Sequence, residues 1–187
     1  MDVLGTCLGL LYLYLEIKEN IWMWIVGLVM PVIYIVVLYE AGIYADCGME
    51  VYFFLAGIYG LLCWMRKPKT AEKQSDTLTI SFASSRLRIR LVVIVTILWA
   101  ILSLFLMNFT DSTVPVYDGF TTAMSVVGLW LLSRKYIDQW WVWLVVDAMS
   151  SGLYVYKGVY GRSVLYAIYT VMAIYGYFAW KKKMRLQ

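Results

Sequence analysis

Asp147 stands in the middle of an apolar run, Arg134 to Gly158 (RKYIDQWWVWLVVDAMSSGLYVYKG), that is long enough to cross a membrane as a helix. At helical spacing Trp140, Trp143, Asp147, Ser150, Ser151 and Tyr154 share one side of it, because residues three and four apart lie on the same face. An ionised group facing hydrocarbon is costly, so this stripe is expected to face a protein interior or a watery cavity. A carboxylate ringed by aromatic planes offers a seat for a flat solute that is cationic or donates hydrogen bonds. An interfacial belt accounts for at least one of the tryptophans. It accounts less well for an acid in mid-helix.

A second acid, Glu50, lies in the run that begins Ala45-Asp-Cys-Gly-Met-Glu, roughly a turn and a half from its start. Its face continues through Phe53, Phe54, Gly57, Ile58 and Leu61. Glu50 is read as buried in a site, whereas Asp46 is read as snorkelling to the interface. Asp111, Asp118 and Asp138 fall at run ends and are read as caps or solvated acids.

Residues that position these acids have to be membrane helices. Of the 187 residues, 63% are hydrophobic and 15% charged, against about half and a quarter in ordinary soluble domains. There is no histidine, the commonest general base and metal ligand, and the three cysteines form no metal pattern. No cofactor is expected. The N-terminus lacks the positive region of a cleavable leader. The net charge of +4 does not point to nucleic acid, because the basic residues gather in short loops between apolar runs.

Seven apolar runs can be followed: Val3–Leu15, Trp22–Tyr39, Ala45–Trp64, Leu91–Phe109, Val116–Leu132, Trp140–Tyr156 and Val164–Trp180. The first is the shortest, and an interfacial segment is its alternative. With seven spans, 14 of the 16 Lys and Arg residues fall on one side, leaving only Lys157 and Arg162 on the other. By the positive-inside rule the N-terminus is then outside and the C-terminus cytoplasmic. Pro68 ends the third run, and Arg66–Arg90 reads as a solvated linker with some strand-like alternation.

The chain also repeats itself. Gly42-Ile43-Tyr44 matches Gly158-Val159-Tyr160, Ile58-Tyr59-Gly60 matches Ile174-Tyr175-Gly176, and Trp64 matches Trp180, each pair sharing one offset. Glu50 falls opposite Tyr166 at that offset. Trp22-Met23-Trp24 matches Trp141-Val142-Trp143 at an offset three longer, which implies a three-residue deletion in the second copy. Three spans per copy with one between them give a 3+1+3 arrangement of parallel repeats, as in sugar-carrying SWEET proteins. The expected fold is therefore an all-α integral membrane bundle of seven helices. Its parts are a first three-helix repeat (residues 1–67), a linker with the connecting helix (68–110) and a second repeat (111–187), with solute sites expected near the midplane where the halves meet. Gly60 and Gly176 are expected to allow close helix approach, and Pro31 to break or kink the second helix. The solute-contacting residues read from this pattern are Glu50, Asp147, Trp143, Trp140, Trp24, Phe53, Tyr154, Tyr166 and Ser151, with no catalytic or metal-ligating residue among them.

Three stretches carry a family resemblance: GLVMPVIYIVVLYEAGIYADCGMEVYFFLAGIYGLLCW, DGFTTAMSVVGLWLLSRKYIDQWWVWLVVD and YKGVYGRSVLYAIYTVMAIYGYFAWKKK. They resemble the PnuC family of vitamin transporters over nearly the whole chain, with the Arg134-Lys135 to Asp147 block the most specific. The resemblance implies a SWEET-like homotrimer in the bacterial inner membrane that moves a vitamin by facilitated diffusion, the solute being trapped inside through phosphorylation by a separate kinase. Nicotinamide riboside members of the family carry Gln and Asn where this chain has Glu50 and Asp147, and Gln where it has Leu129. Those departures turn the expected substrate toward thiamine, and the chain looks closer to the thiamine-carrying PnuT branch. A carboxyl can pair with the aminopyrimidine, a role given to Glu50, while Asp147 and Trp143 meet the thiazolium cation. Nicotinamide riboside, itself cationic, is the alternative, and so is a proton-coupled carrier, since membrane acids also relay protons. An intramembrane enzyme has two carboxylates but no nucleophile motif. A scaffold would need basic partners for the acids, and no Lys or Arg lies deep in any run.

Overall fold

The computed structural model describes residues 2–40, 42, 44–65, 78–110 and 112–186, with the side chains of residues 2–4 and 44–46 left out. Expectations placed on residues 66–77, Asp111 and the Asp46 side chain lie outside the described residues. Seven helices follow in order: α1 (Asp2–Ile17), α2 (Trp22–Glu40), α3 (Tyr44–Met65), α4 (Ser85–Phe109), α5 (Pro115–Ser133), α6 (Gln139–Tyr156) and α7 (Tyr160–Met184). Four stretches, in α2, α3, α4 and α7, are long and apolar enough to cross a membrane. Helices α5 and α6 are less apolar because they carry Thr121, Ser125, Gln139, Asp147 and Ser151. Thr121 and Ser125 satisfy their hydroxyls by donating to the carbonyls of Tyr117 and Thr121, four residues back, at 3.2 and 2.8 Å.

Local chemistry sets the helix ends. The Asn20 side-chain oxygen accepts from the Trp22 N–H at 3.0 Å and starts α2. Helix α2 runs unbroken through the buried Pro31, so the expected break does not occur, although Pro31 still cannot donate to the carbonyl of Gly27. The turns into α3 and α7 use Gly42 and Gly158 at φ 74° and 73°, a backbone region that only glycine enters freely. Helix α4 begins six residues before its apolar run, because Ser84 caps it by accepting from the Leu87 N–H at 3.3 Å. The arginines at positions 86, 88 and 90 are helical and exposed; their long stems allow them to ride up from the membrane surface.

The chain divides into two compact units: residues 1–79 with 133–135, and residues 80–132 with 136–187. In the first, Trp24 packs edge-on against Trp64 with ring centres 5.8 Å apart, and Lys135 sits 4.5 Å above the Trp64 ring. Lys135 Nζ also meets Glu19 Oε1 at 2.6 Å, with both side chains almost withdrawn from solvent. Glu19 and Lys135 each take a positive φ, 58° and 54°.

In the second unit Trp140 packs edge-on against Trp180 at 5.6 Å, the counterpart of the Trp24–Trp64 pair. A Cβ on Gly60 would collide with the Trp24 indole, and one on Gly176 with the Trp140 indole. Glu19 and Lys135 are 116 positions apart, and the same offset relates the two Trp pairs, Gly60 to Gly176 and Gly42 to Gly158. The longer offset that matched Trp24 to Trp143 is therefore corrected. Trp24 and Trp140 hold equivalent seats, and no deletion is needed. Both glycines should be intolerant of even one methyl group. Gly60→Ala and Gly176→Ala are each expected to lower stability by about 1–3 kcal/mol through overpacking, read as a fall in the thermal unfolding midpoint in detergent. An unchanged midpoint in both variants would mean that the indoles have room to swing away.

The described end of the linker makes fixed contacts. Ser81 pairs with Tyr136 in an isolated parallel bridge, and the Ile137 N–H donates to the Ser81 carbonyl at 2.9 Å. Asp138, expected to be a cap or a solvated acid, makes no side-chain cap bond to α6. It accepts from the Ala83 N–H at 2.7 Å and pairs with Arg88 at 2.7 Å, and so ties the chain before α4 to the turn before α6.

Candidate functional site

The site is built within the second unit by α5, α6 and α7. Helix α6 buries the expected stripe: Asp147 is 9% exposed, whereas Trp141, Val145 and Val155 on the other side are 54%, 38% and 52% exposed. Turning an acid inward needs a face that closes around it, and α7 supplies one. The Ser151 hydroxyl donates to the Ser163 carbonyl at 2.9 Å, and the Ser163 hydroxyl donates back to the Ser151 carbonyl at 3.0 Å. This reciprocal clasp brings α6 and α7 together one turn from Asp147 and satisfies both serine hydroxyls.

Tyr154 and Tyr166 stack across the same interface, with centres 5.4 Å apart and planes 25° from parallel. Tyr169 meets Tyr166 edge-on at 5.7 Å. Tyr166 and Tyr169 both lie within electrostatic reach of the Asp147 carboxylate, and Tyr117 on α5 within reach of Tyr154. Among the described residues no Lys or Arg forms an ion pair with Asp147. The Arg162 guanidinium lies 5.8 Å from the centre of the Tyr154 ring.

Two donors lack acceptors here among the described residues: the buried Trp143 indole N–H and the buried Tyr117 hydroxyl. Trp143, one turn before Asp147, is packed against Gly128 of α5, where an added Cβ would meet its ring at 3.4 Å. A buried acid without a partner is costly, and so is a buried donor without an acceptor.

Of the residues expected in the site, Asp147, Tyr154 and Tyr166 come together, with Trp143 on the same face of α6 and Ser151 in the adjoining clasp. Trp140 is 1% exposed and Trp24 is 2% exposed, each locked against its partner tryptophan. Their indole N–H groups, like that of Trp143, have no acceptor among the described residues. Glu50 and Phe53 lie half-buried on α3 in the first unit, Phe53 edge-on to Tyr52 at 5.6 Å. Tyr169 and Tyr117 were missed in the sequence reading. Tyr169 follows Tyr166 at helical spacing, a signal that sixteen tyrosines obscure.

Four helices long and apolar enough to cross a membrane, with an acid turned inward beside aromatic rings, are those of a multi-pass membrane protein. The family model described as nicotinamide mononucleotide transporter matches residues 1–182, and the chain belongs to that family, the PnuC family of membrane vitamin transporters. It is 27% identical over 206 residues to the nicotinamide riboside transporter PnuC of Escherichia coli (strain K12), covering 99% of this chain and 86% of that one. It is 23% identical to the riboflavin/roseoflavin transporter RibM of Streptomyces davaonensis, covering 98% and 85% of the two chains. The crystal structure of the vitamin B3 transporter PnuC shares the fold, with a TM-score of 0.74 at 21% identity over 96% of this chain and 80% of that one.

Proposed function

We propose that this chain carries a flat, positively charged vitamin across the membrane by facilitated diffusion, and that nicotinamide riboside is its first candidate substrate. The observation that carries this reading is the buried Asp147 carboxylate, with Tyr166 and Tyr169 within its electrostatic reach and no basic residue paired to it among the described residues. The names of the PnuC relatives support the choice of nicotinamide riboside, whose pyridinium is cationic. The proposed contacts are Asp147 for the charge, Tyr154 and Tyr166 for the ring, and the Trp143 N–H for a polar edge. Ser151 holds Tyr154 in place through its clasp with Ser163. Glu50 and Phe53 on α3 are proposed as further contacts.

A second reading, thiamine, is favoured by one specific feature, the presence of acids at both position 50 and position 147. The equal geometry at positions 116 apart supports a chain of two three-helix copies, residues 1–67 and 111–187, joined by 68–110. The proposed setting is a homotrimer in the bacterial cytoplasmic membrane, N-terminus outside and C-terminus inside, with a kinase trapping the solute after entry.

Uptake of labelled nicotinamide riboside into proteoliposomes tests the reading. It is expected to run to equilibrium, to be unaffected by a protonophore and to be competed by the unlabelled solute. Uptake of thiamine alone would move the reading to the second substrate. Collapse with the protonophore would make the protein a proton-coupled carrier, and uptake of neither vitamin would overturn the proposal.

A further inference from the structure

At the end of α7 an open recess of about 430 Å³ is lined by Phe178, Lys181, Lys182, Arg185 and Leu186. Residues three and four apart share one face of a helix, and these five follow that spacing. The Arg185 cap keeps helical φ and ψ of −75° and −13°, so the face continues past the last turn. Three cations of one helix face therefore wall the recess, and Lys183 lies outside it.

Among the described residues none of the three forms an ion pair, and no acid follows Asp147 in the sequence. The Lys181 ammonium lies 5.5 Å from the centre of the Tyr177 ring, a contact that holds the charge without neutralising it. The carbonyl end of a helix contributes about half a negative charge, too little to offset three positive ones. The recess is cationic.

Further along α7 the same face is apolar. Ile168, Val171, Tyr175 and Phe178 continue the spacing and are all exposed. Ile168 and Phe178 are ten residues apart, about 15 Å along a helix, half of a hydrocarbon core about 30 Å thick. Helix α7 is among those long and apolar enough to cross a membrane. An apolar strip one leaflet deep that ends in three uncompensated cations fits an amphiphile with an anionic head. A free phosphate would leave the strip unused. A second copy docked by the same face would set three more cations against these three.

We infer that this recess binds the headgroup phosphate of an anionic phospholipid through Lys181, Lys182 and Arg185, with an acyl chain laid along the apolar strip of α7. The lipid so held anchors the end of α7 at the membrane surface.

The test titrates the full-length protein with phosphatidylglycerol or phosphatidylcholine and reads the bound lipid by native mass spectrometry. Phosphatidylglycerol is expected to bind in preference to phosphatidylcholine. Lys182→Gln and Arg185→Gln, both at exposed positions, should each weaken that preference about fivefold. Arg86→Gln removes an exposed charge on α4 and should leave it unchanged. Soluble glycerol phosphate, which has the anion without the acyl chains, should not displace the lipid. Equal retention of the two lipids by the parent protein would sink the proposal, and is the outcome expected if a second copy covers this face. A preference unchanged in both α7 variants would sink it too. An equal fall in Arg86→Gln would reduce the effect to diffuse charge, and displacement by glycerol phosphate would make the recess a phosphate site; either overturns the assignment.

Discussion

Asp147→Asn is expected to lower solute transport by roughly thirtyfold or more while leaving the thermal unfolding midpoint unchanged or higher. The two effects run in opposite directions for one reason. The carboxylate is buried and has no basic partner among the described residues, so in the empty protein its charge is a cost that the amide removes. With a cationic solute in place the carboxylate becomes one half of a desolvated pair, and removing one half of such a pair costs about 2–5 kcal/mol. At 1.4 kcal/mol per tenfold, the lower figure is already about thirtyfold. A structural acid would behave otherwise, and its loss would lower the unfolding midpoint and transport together. Parallel counterflow and thermal-unfolding measurements on the same preparation separate the two cases.

Lys135→Met is expected to be the most damaging single change outside the site. Lys135 Nζ lies 2.6 Å from Glu19 and 4.5 Å above the Trp64 ring, and the side chains of the pair are 11% and 7% exposed. Removing the lysine takes the 2.6 Å ion pair from the largely buried Glu19 carboxylate, at a cost of about 3–5 kcal/mol. Glu19→Gln combined with Lys135→Met removes both charges, so the double variant is expected to recover most of the loss. Thermal unfolding of the two single variants and the double variant completes the cycle. If Lys135→Met were as stable as the parent protein, the bridge would be screened by solvent and of no structural consequence.

These two cases show what the sequence could and could not reveal. The Asp147 stripe is local, repeating every three or four residues on one helix, and α6 turns it inward as its periodicity predicts. The Glu19–Lys135 bridge joins residues 116 positions apart and has no local signature. Asp138 escaped for the same reason, since its partners Ala83 and Arg88 stand across a long linker and its position at the head of α6 suggested a cap. The start of α4 was hidden by arginines that read as linker but ride on a helix. Glycine and tryptophan patterns were visible as a repeat, yet their register needed the packing. Identical Trp-x-Trp strings drew the eye to an offset three too long, whereas the edge-on pairs and the glycines beneath them select Trp24 with Trp140. The same packing engages Trp24 and Trp140, two tryptophans expected in the site. Spacing specifies a face but does not say what fills it.

The central claim is that Asp147 holds the positive charge of the solute. Calorimetric titration of the purified protein and of Asp147→Asn, with nicotinamide riboside and then with thiamine, tests it most directly. The expected result is saturable binding of one of these cations to the parent protein, weakened by roughly thirtyfold or more in the variant. Binding of equal strength to both proteins would contradict the claim and return Asp147 to a structural role.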